Sequence, residues 1–350
     1  MTKKTRVLTF IGCLVLAGGL VHAGQTFVPA ATAQTQRHSE GALISHLAKP
    51  ASSAGAQAAS DLPVKLPLQP NSVRFAVIGD MGTGRSPQLE VAHEMEAYHQ
   101  IVNFSFVITL GDNIYGGGSP RDFARKFEQP YKPLLDAGVK FYASLGNHDN
   151  PDERLYKPFN MGGARYYSFK KNNVAFFALD SNYMNPTQLA WLEQELRNSS
   201  NAWKICYFHH PLYSDGKFHG PDLDLRSALL PLFEKYGVNV VFSGHDHVYE
   251  RLKPQNGINF FIVGNSGELR YHNLRPSEEM QVGFDADQDF MLVEVDGDEF
   301  YFQTISRTGL TVDSGVIRKQ PKNARLRIEK SSPADLASVS GTFRSHFNFR

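Results

Sequence analysis

Residues 109–115 read Thr-Leu-Gly-Asp-Asn-Ile-Tyr and close an apolar run that begins at Val102. A run rich in β-branched and aromatic residues that ends in Gly-Asp-Asn predicts a buried parallel strand with Asp112 at its carboxyl end. Open α/β sheets bind ligands in the crevice beyond the carboxyl ends of their strands. Asp112 is therefore the first candidate functional residue, and the other strand ends decide its role.

Short apolar runs alternate with helical patterns on both sides of this stretch. The helix predicted over residues 87–102 begins with Ser86 as its N-cap and a proline at its first position. The first half of the chain follows a β-α-β-α-β pattern, and the whole predicts an α/β fold of four α/β/β/α layers, a two-layered β-sandwich flanked by helices. The other predicted elements are helices over 131–137, 187–198 and 223–236, and strands over 73–79, 102–110, 139–145, 166–169, 174–179, 203–208, 238–243, 260–263, 290–295 and 300–305.

The N-terminal section is typical of a secretory signal peptide. Residues 1–6 carry three basic side chains, residues 7–21 are mainly apolar, and small residues precede cleavage positions after Ala23 or Ala33. The alternative is an uncleaved membrane anchor, but the apolar stretch is short for a membrane span. We therefore expect a signal peptide at residues 1–23 and a secreted or periplasmic protein.

Composition divides the rest of the chain into three parts. Residues 24–70 are rich in Ala, Ser, Gln and Pro without apolar periodicity, which predicts a disordered linker. Residues 71–319 suit one large catalytic domain, and residues 320–350 form a polar C-terminal tail. Signal cleavage leaves Cys206 without a disulfide partner, so we expect it buried as a small hydrophobic residue. The net charge of +1 gives no reason to expect nucleic acid or a membrane surface as a partner.

Five predicted strand ends begin loops that carry metal-capable side chains. The candidate ligands among them are two Asp, one Asn, one Tyr and three His, an oxygen and nitrogen set without thiolate that suits borderline and harder transition metals. These donors are too many for one tetrahedral zinc and suit two ions that share a carboxylate. The blocks are residues 79–82 (Gly-Asp-Met-Gly), 111–115 (Gly-Asp-Asn-Ile-Tyr), 146–149 (Gly-Asn-His-Asp), 208–211 (Phe-His-His-Pro) and 244–247 (Gly-His-Asp-His).

These five blocks, in this order, resemble the calcineurin-like metallophosphoesterase superfamily and, within it, the purple acid phosphatases of the tartrate-resistant type. The resemblance spans residues 71–318 and is strongest over residues 80–148 and 209–247. Most members of the superfamily have a metal-binding histidine where this chain has Gly82. Purple acid phosphatases instead use a tyrosine three residues after the second-block aspartate, and Tyr115 stands there.

The resemblance implies a binuclear metal centre. Because a phenolate prefers a hard and highly charged ion, Tyr115 favours Fe(III) in the first site. The second site is expected to hold Fe(II), Zn or Mn, and Asp112 is expected to bridge the two ions. The implied ligands are Asp80, Asp112, Tyr115 and His247 for the first ion, and Asn147, His209 and His245 together with Asp112 for the second.

The resemblance also implies an acid phosphatase that hydrolyses phosphate monoesters by in-line attack of a hydroxide on the binuclear Fe(III)-M(II) centre. A nearby imidazolium can protonate the departing oxygen, and the candidates are His148 and His219. We expect His210 to hydrogen-bond behind the ligands rather than to bind a metal. Asp149 is expected to orient a ligand loop, and Asp246 to point away from the metals.

Two other functions stay open. A phosphodiesterase or nucleotide hydrolase on the same scaffold would prefer bis-esters to monoesters. A metal-binding interaction protein without catalysis is disfavoured because all seven expected ligands are present. The expected partners are small-molecule phosphate esters, with no nucleic acid and no stable membrane association after signal cleavage; the physiological ester and the oligomeric state stay open. Tyr213, Arg270 and Tyr271 are rim residues that could contact the ester group, with plain solvent exposure as the alternative.

Overall fold

The structure is a computed structural model that describes residues 62–319. The expected signal peptide at residues 1–23, most of the expected linker and the expected tail at residues 320–350 lie outside the described residues. Among the described residues, no helix combines the length and the apolar character needed to span a membrane.

Within the described residues the strands form two sheets, one of six strands and one of seven. The strands are β1 Val73–Ile78, β2 Phe106–Leu110, β3 Lys140–Ser144, β4 Tyr167–Lys171, β5 Val174–Ala178, β6 Trp203–Tyr207, β7 Val240–Ser243, β8 Tyr249–Leu252, β9 Asn259–Val263, β10 Met280–Phe284, β11 Asp289–Asp296, β12 Glu299–Ser306 and β13 Thr311–Arg318. The first sheet has the order β13-β12-β11-β1-β2-β3, and the second has the order β10-β8-β9-β7-β6-β5-β4.

Each sheet contains a block of neighbouring parallel strands. In the first sheet β1, β2 and β3 are parallel, with Phe75 opposite Phe106 and Thr109 opposite Ala143. In the second sheet β5, β6, β7 and β9 are parallel. Parallel neighbours end at the same edge of a sheet, so the loops that follow them lie side by side. This arrangement gathers the predicted strand-end blocks.

The inner faces of the two sheets pack on each other through a buried aromatic core. Phe75 stacks on Phe106 with 5.2 Å between ring centroids. Phe75 also meets Phe176 and Phe242, which belong to the other sheet, edge-on. Strands covered on both faces need apolar side chains on both, which explains the nearly continuous apolar runs of the sequence.

Helices cover the outer face of each sheet. The helix Ser86–Val102 packs on the first sheet through residues such as Val91 and Met95. The later helices at residues 186–198 and 223–236 pack on the second sheet through Leu192 and Leu229. The layers are therefore α/β/β/α, and the predicted fold class is confirmed. The helices are α1 Ser86–Val102, α2 Pro120–Phe123, α3 Lys132–Asp136, α4 Pro186–Asn198 and α5 Leu223–Tyr236, with a π-helical turn at Ala124–Glu128 and 3₁₀ turns at Pro151–Leu155, Lys157–Phe159 and Ser181–Tyr183.

Several element boundaries differ from the sequence prediction. The predicted N-cap of α1 was wrong, because Arg85 occupies that position without a side-chain cap. The Ser86 hydroxyl instead donates to Glu90 Oε1 at 2.7 Å. The run beginning at Val102 is not all strand, because Val102 ends α1 and Asn103 takes a left-handed conformation with φ 50°. The prediction also missed β8, β10 and β13.

The folded domain begins earlier than the predicted boundary at residue 71. Leu66 is buried in the core beneath the first sheet's helices. The backbone N–H of Lys65 donates to Gln303 Oε1 at 2.8 Å, and that of Leu68 donates to Glu294 Oε2 at 2.7 Å. The segment 62–70, predicted as the end of a disordered linker, is therefore part of the packed domain. Cys206 is buried, as predicted.

Candidate metal centre

Three donor atoms from three strand-end loops converge at a first point. The hydroxyl oxygen of Tyr115 lies 3.2 Å from Asp80 Oδ1 and 3.2 Å from His247 Nε2. His247 Nε2 lies 3.3 Å from Asp80 Oδ1, which closes the triangle. The Asp80 carboxylate is fully buried, and its Oδ2 accepts the backbone N–H of His245 at 2.9 Å. We call Asp80, Tyr115 and His247 the first donor group.

Three more donor atoms converge at a second point. His209 Nε2 lies 2.8 Å from Asn147 Oδ1 and 3.1 Å from His245 Nδ1. His245 Nδ1 lies 3.1 Å from Asn147 Oδ1. These residues come from the loops after β6, β3 and β7, which belong to different sheets. We call Asn147, His209 and His245 the second donor group.

Asp112 lies between the two groups. Its carboxylate comes within a few ångströms of both Asp80 and His247, all three offering ligand atoms within 4.8 Å of one another. Its Oδ1 also lies 3.5 Å from His209 Nε2 in the second group. The Asp112 side chain is 1% exposed. One carboxylate thus faces both donor groups at once.

The hydrogen bonding of His209 fixes which nitrogen can bind a cation. Its Nδ1 lies 2.9 Å from the carbonyl oxygen of Leu110, which can only accept, so Nδ1 carries the proton. Nε2 must then present a lone pair, and it faces the acceptor oxygen of Asn147 at 2.8 Å. Two acceptors so close are favourable only when a cation lies between them.

The spacing of the donors also suits metal coordination. Ligands at right angles around an ion, each about 2.1 Å from it, lie about 3.0 Å apart. The distances within the two groups run from 2.8 Å between His209 and Asn147 to 3.3 Å between His247 and Asp80. Both groups therefore have the edge lengths of an octahedral site. Oxygen and imidazole donors without thiolate suit Fe, Zn or Mn.

Burial shifts the pKa values of the donor side chains. Burial raises the pKa of Asp80 well above its usual range, and the charge of Asp112 raises it further. Burial likewise raises the pKa of Asp112 and of Tyr115, and for Tyr115 the Asp80 and Asp112 charges add to the effect. Burial lowers the pKa of His209 well below its ordinary value, which keeps the imidazole neutral. A bound cation favours the ionised carboxylates, the phenolate and the neutral imidazole together.

The close packing of the loops depends on strained backbone and on glycine. Asp80, Asp112 and His245 all have left-handed φ angles, of 54°, 51° and 69°. Such a conformation costs about 1–2 kcal/mol per non-glycine residue. A Cβ on Gly82 would overlap the backbone of residues 113–114, and one on Gly146 would overlap Asp112. A histidine in place of Gly82 would therefore force the Tyr115 loop away.

Asp149 joins two of the donor loops. Its Oδ2 accepts the backbone N–H of Gly146 and the side-chain amide of Asn113, each at 2.8 Å. Its Oδ1 accepts the backbone N–H of Ile114 at 3.0 Å. Desolvation of the carboxyl raises the pKa of Asp149 to about 8, with the Asp112 charge adding to the rise. Asp149 thus connects the loop of Asp112 to that of Asn147.

His210 lies beside the second donor group. Its Nδ1 is 2.8 Å from the hydroxyl of Ser181, and its ring centroid is 4.4 Å from that of His245. Its ligand atoms also come within 4.8 Å of those of His209 and His245, so geometry leaves both a ligand and a supporting role available. The Ser181 contact favours the supporting role, because it occupies one ring nitrogen.

Ser181 and Asn182 contact the residues of the second donor group or their neighbours, a supporting role that the sequence analysis did not assign to them. Asn182 Nδ2 donates to the carbonyl oxygens of Leu145 at 3.2 Å and Gly146 at 3.1 Å, directly before Asn147. The signal for these residues was available, since β5 is a parallel neighbour of β6 and its carboxyl end shares the same edge. A cavity of about 440 Å³ opens beside them and is bordered by Asn147 and His210.

Both candidate proton donors are exposed and lie at the donor groups. The backbone N–H of His148 donates to Asp112 Oδ1 at 3.0 Å, and its ring centroid is 5.0 Å from that of Tyr115. The ring centroid of His219 is 3.9 Å from that of His245. Asp246 Oδ2 accepts the N–H of Gly220 at 3.2 Å and thereby holds the loop that carries His219. That Asp246 points away from the metals stays a prediction.

Buried carboxylates and histidines gathered at the strand ends of an α/β/β/α sandwich define a metallophosphoesterase. Residues 73–249 match the calcineurin-like phosphoesterase family, and the chain belongs to this family. The resemblance to purple acid phosphatases is confirmed by the relatives that follow.

The chain is 24% identical over 303 residues to tartrate-resistant acid phosphatase type 5 of Rattus norvegicus, across 72% of this chain and 92% of the relative. It is 29% identical over 270 residues to purple acid phosphatase 4 of Arabidopsis thaliana, across 65% of this chain and 78% of the relative. The solved structure of GAP50, the anchor in the inner membrane complex of Plasmodium, matches with a TM-score of 0.64 and 20% identity over 74% of this chain and 94% of that chain. This structural likeness shows the fold alone, so the activity must be argued from the site.

Proposed function

We propose that this protein is an acid phosphatase that hydrolyses phosphate monoesters at a two-metal centre. The observation that carries the proposal is the convergence of two donor groups on neighbouring points, with Asp112 facing both. The acid phosphatase relatives support the same class of reaction. A fold that served only as a scaffold would have no need to bury the charged donors Asp80 and Asp112 side by side.

In this proposal the first donor group would hold Fe(III), the second would hold Fe(II), Zn or Mn, and Asp112 would be shared by both sites. The phenol of Tyr115 supports the ferric assignment, because a phenolate is a hard donor. The imidazoles of His209 and His245 support a borderline divalent ion at the second point. When bound, such a pair of ions acidifies water, clamps the phosphate and stabilises the leaving oxygen.

The chain itself supplies the proton for the leaving group. His148 and His219 are exposed beside the donor groups, so an imidazolium nitrogen of either can reach the departing ester oxygen. The proton passes from that nitrogen to the alkoxide or phenoxide as the phosphorus–oxygen bond breaks. His148 has the firmer position, because its backbone is hydrogen-bonded to Asp112.

Other side chains keep the donors in position. Asp149 fixes the distance between two donor loops, and we propose the same supporting role for His210 through Ser181. The cavity of about 440 Å³ beside Asn147 leaves room for the organic part of the ester. This combination of fixed donors and an open cavity suits a small-molecule phosphate ester.

The proposal extends to the whole chain. The catalytic domain includes residues 62–319, after a signal peptide at residues 1–23 and a linker, with residues 320–350 as a tail. A secreted or periplasmic location follows from the signal sequence. Small phosphate esters are the proposed partners, without nucleic acid and without stable membrane association after signal cleavage.

Hydrolysis assays with a matched pair of esters test this function. The purified protein should hydrolyse p-nitrophenyl phosphate faster than bis(p-nitrophenyl) phosphate, lose activity on chelation and regain it with iron plus zinc or manganese. The surface variant Asp136→Asn, which alters only an exposed pair with Lys132, should behave like the wild type. A preference for the bis-ester would favour a phosphodiesterase. Full activity after complete metal removal would disprove the two-metal mechanism.

A further inference from the structure

The loop after β9 is fixed to the donor loops by its backbone. The N–H of Ser266 donates to Gly79 O at 3.1 Å, and the N–H of Glu268 donates to Asp80 O at 3.0 Å. The N–H of Arg270 donates to His247 O at 3.0 Å. The position of the Arg270 side chain is therefore set by the same backbone that carries the first donor group.

The guanidinium of Arg270 lacks a polar partner within the described part of the chain. Its Nε is buried, and neither a hydrogen bond nor an ion pair reaches the group from residues 62–319. Other arginines of this region are paired, such as Arg165 with Asp180 at 2.6 Å and Arg251 with Asp313 at 2.7 Å. A buried N–H of a charged group without a partner is costly, and at a functional site it points to a ligand.

An aromatic ring next to the candidate centre holds the plane of the Arg270 guanidinium. Its guanidinium carbon lies 3.6 Å from the centroid of the Phe218 ring, in a cation–π contact. The Phe218 ring centroid lies 4.6 Å from that of His219. The His219 centroid in turn lies 3.9 Å from that of His245 and 6.5 Å from that of His247. The guanidinium, stacked on Phe218, therefore lies beside the histidines of the candidate centre.

The structure separates Arg270 from the other two rim candidates. Tyr213 is 7% exposed and is covered by the guanidinium of Arg226, 4.0 Å from its ring centroid. Tyr271 is 61% exposed. Only Arg270 among these three offers a buried, uncommitted donor, its Nε, on a backbone that is hydrogen-bonded to His247. A planar guanidinium can donate two parallel hydrogen bonds to phosphate oxygens, which makes an anionic phosphoryl group the matching ligand.

We propose that Arg270 is a phosphoryl-binding residue that contacts the terminal oxygens of the substrate, with Phe218 as its positioning residue. The inference rests on the proposed phosphatase function and deepens it. A monoester offers terminal oxygens that share two negative charges. A diester replaces one of them with an ester oxygen, which is a weaker acceptor and carries a second organic group. Arg270 thus favours monoesters over diesters.

Paired substrates and a direct binding measurement test this role. Arg270→Gln should lower kcat/KM for p-nitrophenyl phosphate by about 10- to 100-fold, as expected for losing a charge-assisted hydrogen bond, with a smaller loss for bis(p-nitrophenyl) phosphate. Arg270→Lys should give a kcat/KM between those of the wild type and Arg270→Gln, because lysine keeps the positive charge but cannot donate two parallel hydrogen bonds. Calorimetry on the metal-loaded protein should show weaker binding of inorganic phosphate to Arg270→Gln.

Arg275→Gln is the matched control, because it removes the same charge from an exposed position five residues further along the loop. It should leave both substrates and phosphate binding close to wild type. Equal losses on both esters, or an equal effect of Arg275→Gln, would overturn the proposal. If the wild type hydrolyses neither ester, the phosphatase function fails. Phosphate affinity then decides the role of Arg270 separately: an unchanged affinity in Arg270→Gln refutes it, and a reduced affinity retains it as an anion-binding residue.

Phe218 is tested through the selectivity that it supports. Phe218→Ala should reduce the preference for the monoester over the diester, because the guanidinium loses the ring that holds its plane. Phe218→Tyr should restore that preference, since it keeps an aromatic face. If Phe218→Ala changes overall activity but leaves the monoester-to-diester ratio untouched, its role in positioning Arg270 is refuted.

Discussion

Replacing Asp149 tests whether the donor loops are held by a carboxylate that binds no metal itself. Asp149→Ala removes the acceptor of three hydrogen bonds, from Gly146 N, Asn113 Nδ2 and Ile114 N. At about 1 kcal/mol each, their loss should lower the free energy of unfolding by about 3 kcal/mol. Asp149→Asn keeps the shape of the side chain but replaces one acceptor oxygen with a donor NH₂ group. It should therefore lower the free energy of unfolding by about 1 kcal/mol.

The two loops joined by Asp149 carry Asp112 and Asn147, so metal binding should weaken as well. Losing a residue that orients metal ligands typically lowers metal affinity by roughly 10- to 100-fold. Urea denaturation of the metal-free variants measures the first effect, and metal titration followed by absorption or calorimetry measures the second. Separating the two assays distinguishes a general loss of stability from a loss of site geometry.

Asp152→Ala provides the control for this experiment. Asp152 lies three residues away, is 71% exposed and pairs with Arg154 at 2.6 Å. An exposed pair of this kind contributes about 0–1 kcal/mol, so its loss should be small. The reasoning would be refuted if Asp149→Ala destabilised the protein no more than Asp152→Ala and bound metals as tightly as the wild type.

Three further predictions concern the donors and the proton donor. Asp112→Asn should abolish the binding of both ions and reduce turnover by at least 1,000-fold, on the order of a lost major catalytic element. Metal analysis and steady-state kinetics measure these effects. Retained activity would refute the role of Asp112 as the shared ligand. Tyr115→Phe should remove a visible tyrosinate-to-Fe(III) absorption band, measured by spectroscopy of the iron-loaded protein; a colourless but fully active wild type would exclude iron. His148→Ala should slow esters with poor leaving groups about 100-fold and activated aryl esters less. A uniform loss across leaving groups would rule out His148 as the acid.

The sequence was most informative where parallel strands end. Asp80, Asp112 and Asn147 follow three neighbouring parallel strands of one sheet. The local pattern of a strand ending in a polar residue therefore predicted that the three side chains lie at the same sheet edge. The same rule applies to β5 and β9, whose loops carry Asn182 and Arg270, but their residues have no metal-binding signature. Which side chains of those loops face inward depends on contacts far along the chain.

The missed strands depended on distant polar partners. In β8, Arg251 is paired with Asp313 of β13, and Tyr249 donates to the same carboxylate at 2.8 Å. Charged residues at buried positions erase the alternating apolar pattern that predicts a strand. The packing of residues 62–70 was hidden for a similar reason, because Glu294 accepts their backbone N–H groups from more than 220 residues away. Neither partner can be identified from local composition.

The left-handed backbone at Asp80, Asp112 and His245 has a consequence for evolution. Each of these residues is retained at a cost of about 1–2 kcal/mol, which glycine would relieve. A lineage released from selection for catalysis would therefore gain stability by abandoning the donors one by one. Loss of chemistry on this scaffold is energetically downhill, whereas its recovery would require three strained positions to be rebuilt together.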